Sequence, residues 1–226
     1  MPSDHPRPLP RALAATVDHE IVVKRSRFLA SVVPARSSAE AEAVVAARRR
    51  EHWGARHHCV AVVLGPHGEA RRSSDDGEPS GTAGTPMLDV LRHRDVTDVV
   101  AVVTRYFGGV LLGTGGLVRA YAGAVAGALD EADGRGLLRV RRHLTEVGVT
   151  VSHADAGRVE HLLREWASRH DAVLSPTTYA ELARLELLVD AGDLEELRTE
   201  VAAASAGTLR VDVGAVRVVT TTPRTP

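Results

Sequence analysis

An α+β chain of two domains is the fold class that the sequence predicts, and three observations predict it. Short alternating or wholly apolar runs at 20–24, 28–33, 59–64 and 98–104 have the length and period of β-strands. Leu117, Tyr121, Val125, Ala128 and Ala132 recur at helical spacing. Beyond residue 138 the same two kinds of pattern begin again in a new order.

The first domain is expected over 16–134. Residues 20–24 and 28–33 read as paired strands. Ser37 and Ser38 offer N-caps to a helix over 39–52, whose C-terminal Arg48, Arg49 and Arg50 suit the negative end of the helix dipole. The run 59–64, the turn Gly65-Pro66-His67-Gly68 and the run 69–73 make a hairpin. After a long loop, a short helix over 86–92 leads to 98–104, whose unbroken VVAVV is expected to be buried on both faces. A glycine-rich stretch at 108–116 then opens a helix to about residue 133. Asp133-Gly134-Arg135-Gly136 marks the expected boundary.

The second domain, 138–220, reads as β-α-β-β-α-β. Val147, Val149 and Val151 alternate, Val159, Leu162, Leu163 and Trp166 share a helical face, and Ala183, Leu185, Leu187 and Val189 alternate again. Leu194, Leu197 and Val201 supply a second helix, and 209–219 a closing strand in which Gly214 shifts the alternation as a bulge would. This order predicts a ferredoxin-like α/β sandwich. The proline-rich residues 1–15 and the end, 221–226, are expected to be a flexible leader and tail.

Composition narrows the function. The chain has 226 residues, 44% of them hydrophobic, which is ample for packed cores. Its single cysteine, Cys59, cannot form an intrachain disulfide, and no apolar run reaches the length of a membrane span. A cytoplasmic protein without a membrane partner is the expectation. A formal net charge of −1 argues against a strongly basic nucleic-acid binder but leaves room for a local basic patch.

Two segments carry the chemical signal. The loop S74-D-D-G-E-P-S-G-T-A-G-T-P86 packs Asp75, Asp76 and Glu78 among turn residues. Its spacing does not match an EF-hand loop. Two readings stand: the carboxylates hold a cation or act as a base in a hydrolase, or Asp75 and Asp76 cap the turn while Glu78 pairs with an arginine. The segment R105-Y-F-G-G-V-L-L-G-T-G-G-L-V-R-A-Y121 lies where a strand hands over to a helix, a place that favours anions. A P-loop would have lysine at Thr114, and a dinucleotide fingerprint glycine or alanine at Val118, so neither motif is met. A backbone phosphate of RNA fits Arg105, Arg119 and the loop amides. Equally, the glycines serve tight turns and the arginines pair with Asp75, Asp76 or Glu78. His57, His58 and Cys59 lack the second Cys/His pair that a zinc site needs. No G-x-S-x-G or H-E-x-x-H signature occurs, and no catalytic residue, metal or cofactor is assigned.

Together these two segments resemble the signature segments of the IMPACT/YigZ family, with support from K24-R-S-R-F28 and A55-R-H-H-C59. The resemblance spans nearly the whole chain outside its ends. It implies a two-layer N-terminal domain with the fold of ribosomal protein S-five domain two, then a ferredoxin-like domain, a pair similar to neighbouring domains of elongation factor G. It further implies a non-enzymatic regulator or factor that binds the ribosome, RNA or a translation-related protein. The surface so implied comprises Arg105, Tyr106, Gly108, Gly109, Gly113, Gly115, Gly116 and Arg119 with Asp75, Asp76 and Glu78. The alternatives are the hydrolase above and an interaction module in the second domain.

Overall fold

The computed structural model describes residues 9–221 and divides them into two compact units, one reaching to Arg141 with Thr220 and Thr221 added, the other Arg142–Val219. The division falls later than the expected break at 133–136, because Leu137 and Leu138 still pack on the first core.

The first unit begins with β1 (Arg11–Leu13), β2 (Val17–Val23) and β3 (Ser26–Pro34), then α1 (Ser38–Glu51), β4 (His57–Leu64), β5 (Ala70–Ser74), α2 (Gly84–His93), β6 (Val96–Thr97), β7 (Val99–Tyr106) and α3 (Thr114–Gly134). Its main sheet has the order β2-β3-β7-β4-β5 and is antiparallel throughout. Strand β7 lies at the centre, and Val99 to Val103 are fully buried, as the apolar run requires. Alternation sends Val99, Ala101 and Val103 to one face, against α2 and α3. Val100 and Val102 face the other way, into a smaller core with Ala41, Val44 and Val45 of α1. The expected two layers are therefore three, because a central strand with no polar side needs cover on both faces. Ser37 caps α1 by accepting from the Glu40 amide.

The expected leader also needs correction. Leu9 is buried, and β1 pairs in parallel with β6 and antiparallel with the first residues of β8 (Leu138–Val151). The flexible ends expected at residues 1–8 and 222–226 lie outside the described residues.

The second unit continues β8 and adds α4 (His153–His170), β9 (Val173–Leu174), β10 (Thr178–Tyr179), β11 (Ala183–Val189), α5 (Leu194–Ala204) and β12 (Val211–Thr221). Strand β8 is paired by β12 and, antiparallel, by β11, whose partners β9 and β10 are also antiparallel. The strand expected between the helix and 183–189 is thus two short pieces. Trp166, Leu163, Leu185, Leu187 and Leu197 fill the core as the sequence pattern demands. Among the described residues no helix is long and apolar enough to cross a membrane.

Candidate functional site: a buttressed polar turn beside a glycine-rich helix start

The turn after β5 is built on its carboxylates. Asp75 Oδ1 accepts from the amides of Ala83 (3.0 Å) and Gly84 (2.8 Å), and Oδ2 from that of Gly81 (2.8 Å), so one side chain closes the loop and ties it to the start of α2. Burial pushes the Asp75 pKa up, but the Gly81, Gly84 and Ala83 amides together outweigh it and hold the carboxyl below its ordinary value. Asp76, at φ +45°, accepts from the His58 amide at 2.6 Å and pairs with Arg49 of α1. The capping reading of both aspartates is what the structure shows.

Glu78 is drawn inside. It is 9% exposed and its Oε1 accepts from Arg105 Nη1 (2.6 Å) and from the Tyr121 hydroxyl (2.7 Å). Arg105, 6% exposed, lies between the rings of Phe28 and Phe107, 5.4 and 5.5 Å from their centres. Phe28 in turn meets Tyr121 edge to face at 5.1 Å. The expected arginine partner of Glu78 is therefore Arg105. This removes Arg105 from the exposed phosphate contacts, since its charge is spent on a buried carboxylate. Burial raises the Tyr121 hydroxyl pKa, and the neighbouring Cys59 and Glu78 add to that, so it remains a donor.

His57, His58 and Cys59 part company. The His57 Nδ1 donates to the Asp76 carbonyl at 2.9 Å, whereas His58 is buried against the Thr104 hydroxyl on the opposite side of the strand. Burial, with Arg49, lowers the His58 pKa although Asp76 opposes it, which keeps the ring neutral. Cys59 donates to the Asp75 carbonyl, and burial pushes its thiol up to about 12, so it is no thiolate nucleophile at neutral pH. The Tyr106 hydroxyl meets His52 Nδ1 at 3.1 Å, a contact between β7 and the end of α1. Among the described residues, the potential metal ligands that come close enough to share an ion are His170, Glu196 and Glu200 in the second unit, not Asp75, Asp76 and Glu78.

The glycine-rich segment leaves the sheet at Tyr106. The Gly108 amide donates to the buried Ser26 hydroxyl (3.1 Å), and a Cβ on Gly108 would overlap the carbonyl of Arg25. Gly108→Ala is expected to cost about 2–3 kcal/mol by overpacking against backbone, measured by urea denaturation, with no such cost for Gly54→Ala, where a Cβ meets open space and φ is not positive. Gly113, at φ +72°, starts α3 without a side-chain cap, and no acidic residue occupies the first turn. The first intrahelical bond is Leu117 to Gly113, so the amides of Thr114, Gly115 and Gly116 point out of the helix start. Exposed Arg119 lies back along that turn, its guanidinium beside Gly115, with no ion-pair partner among the described residues. The loop meanwhile shows solvent Phe107 (42% exposed), Val110 and Leu111 (81%).

The turn of β2 and β3, which opens the K24-R-S-R-F28 segment, lies against this loop. Val23 pairs with Ser26, so Lys24 and Arg25 form a two-residue hairpin turn with φ +45° and +66°. Such a turn favours Asn-Gly, because each positive φ strains a side chain with a Cβ.

Fold and site define a mixed α/β chain of two units whose first unit carries a self-satisfied polar turn packed under an exposed glycine-rich loop. The model of the Impact N-terminal domain matches residues 24–129, and that of a domain of unknown function, DUF1949, matches 149–208. The chain is 38% identical to IMPACT family member YigZ of Escherichia coli over 88% of its own length and 94% of that protein's. It is also 38% identical to IMPACT family member YvyE of Bacillus subtilis, over 76% of each chain. A crystal structure described as a hypothetical protein matches with a TM-score of 0.56 at 35% identity, covering 91% of this chain and 97% of that one. The chain belongs to the IMPACT family.

Proposed function

We propose that the chain is a non-enzymatic, cytoplasmic factor of translation that contacts ribosomal RNA through the exposed surface around its glycine-rich loop. The observation that carries this reading is the Lys24-Arg25 turn. Two long cations occupy the positive-φ positions where Asn-Gly would relieve strain of about 1–3 kcal/mol per residue, and neither has an ion-pair partner among the described residues. Strain retained at an exposed basic turn is the pattern of a contact surface rather than of a fold element. Exposed Arg56 lines the same hollow as Phe107 and Leu111, and exposed Arg119 lies beside Gly115; neither arginine has an ion-pair partner among the described residues.

The carboxylates do not favour the hydrolase reading. Asp75 is saturated with amides, Asp76 holds Arg49 and a strand amide, and Glu78 is neutralised by Arg105, so none is available as a base. The order β12-β8-β11, with β9 and β10 outside it and two helices alongside, supports reading the second unit as ferredoxin-like. The face backed by α2 and α3 supports kinship of the first with ribosomal protein S-five domain two.

Lys24→Asn with Arg25→Gly separates contact from fold. The double variant is expected to be more stable by about 1–2 kcal/mol, because the larger loss of backbone freedom that glycine suffers on folding offsets part of the relieved strain, yet to pellet less with ribosomes than the parent. A variant that is stabilised and pellets equally well would remove the turn from the contact surface.

A further inference from the structure

Between the loop and the polar turn lies a cavity of about 420 Å³, within the range of roughly 300–1,000 Å³ typical of small-molecule sites. Phe107, Leu111, Leu112, Leu117 and Pro79 form its apolar walls. Arg56, His57 and the buried Arg105–Glu78 pair form its polar side, and Gly113 with Thr114 brings the start of α3 to its edge.

Three features of this cavity point to a ligand with an anionic head and a flat apolar body. The uncapped start of a 21-residue helix presents three amides with no competing carboxylate in the first turn. Arg105, more than nine-tenths buried on the cavity's wall, has an Nε without an acceptor among the described residues, an unsatisfied polar group next to the cavity. Arg105 and Glu78 cancel each other, which leaves Arg56, without an ion-pair partner among the described residues, to set the sign of the charge at the mouth, with Arg119 a turn further along the helix. A nucleotide has this shape and charge.

We propose that the cavity is a subsite for one unstacked nucleotide of single-stranded RNA. Its phosphate lies on the Thr114, Gly115 and Gly116 amides with Arg56 and Arg119 as counter-charges, and its base stacks against Phe107 and Leu111. This rests on the reading of the loop as an RNA-contacting surface and gives that surface a defined pocket.

Calorimetric titration of the full chain with uridine 5′-monophosphate, inorganic phosphate and a uridine decamer tests it. The expected order of affinity is decamer, then monophosphate, then phosphate. Phe107→Ala should weaken the decamer and the monophosphate about tenfold, the scale of one base stacked on an aromatic ring, and leave phosphate unchanged. Thr114→Asp should weaken all three, and its carboxylate stabilises a helix start, so a melting curve at or above the parent's shows that the weaker binding is not unfolding. The proposal is overturned if neither monophosphate nor decamer binds at millimolar concentration, or if Thr114→Asp binds them as the parent does. Ribosome pelleting keeps the two readings apart. If both variants pellet as the parent does and no nucleotide binds, the subsite alone fails. If nucleotides bind as expected but the parent never pellets with ribosomes, the translation reading fails and the pocket stands.

Discussion

Replacing Arg105 with alanine is expected to destabilise the first unit by about 3–5 kcal/mol, the cost of leaving one member of a buried ion pair without the other. The reason is local and specific. Glu78 is 9% exposed, and its Oε1 has two donors, Arg105 and Tyr121. Without the guanidinium, the buried carboxylate keeps the Tyr121 hydroxyl as its hydrogen-bond donor, with His57 Nε2 4.0 Å away. Arg105→Met combined with Glu78→Leu should lose much less than the sum of the single variants, because it removes both charges and keeps volume. Urea unfolding of the three variants measures this. A single Arg105→Ala variant within about 1 kcal/mol of the parent, the scale of an exposed pair, would mean that the pair is solvated and that the buried buttress is wrongly assigned.

Asp75→Ala should cost about 2–4 kcal/mol, since the buried amides of Ala83 and Gly84 each lose an acceptor worth about 1–3 kcal/mol. Asp75→Asn is expected to cost less. Its carbonyl can replace Oδ1 for those two amides, while its NH₂ group must face the Gly81 amide as donor to donor. The pH dependence follows from the lowered pKa of Asp75. A carboxyl whose folded pKa is depressed contributes stability that is fully present above its unfolded pKa, near pH 4, and is lost as pH falls through the folded value. The parent should therefore lose more stability than Asp75→Asn between pH 5 and pH 2. Equal losses would show that Asp75 does not hold the turn as an ion.

These effects explain what was legible in the sequence. Local signals succeeded. The apolar runs became β3, β4 and β7, the helical stripe from Leu117 to Ala132 is buried, and Ser37 caps α1. The turn chemistry of Asp75 was readable because an aspartate among glycines and prolines bonds nearby amides. Partners far apart in the chain were not. Arg49 meets Asp76 across 27 residues, and Tyr121 meets Glu78 across 43, and nothing in either neighbourhood marks the match. Arg105 and Arg119 look alike in sequence, yet one faces inward from β7 and the other outward from α3. The alternation of a strand and the period of a helix, started from different loops, decide that difference. The helix over 39–52 was legible, whereas the two-layer expectation came from the family resemblance; α1 adds the third layer by covering Val100 and Val102 with Ala41, Val44 and Val45. The strand β1 was missed because four prolines in the first ten residues read as a leader, although Leu9 and Leu13 are core residues.

On the proposed reading, the polar residues of the two signature segments divide into a buried scaffold and an exposed contact surface. Co-sedimentation with ribosomes across a range of salt, for the parent and for Arg56→Ala combined with Arg119→Ala, tests it most directly. Both arginines are exposed and have no ion-pair partner among the described residues, so the variant should melt as the parent does. The parent should pellet saturably. In the variant, the slope of log affinity against log salt should be shallower by about 0.7–0.9 for each phosphate that an arginine no longer neutralises. A folded variant that pellets with unchanged affinity and unchanged slope would contradict that reading.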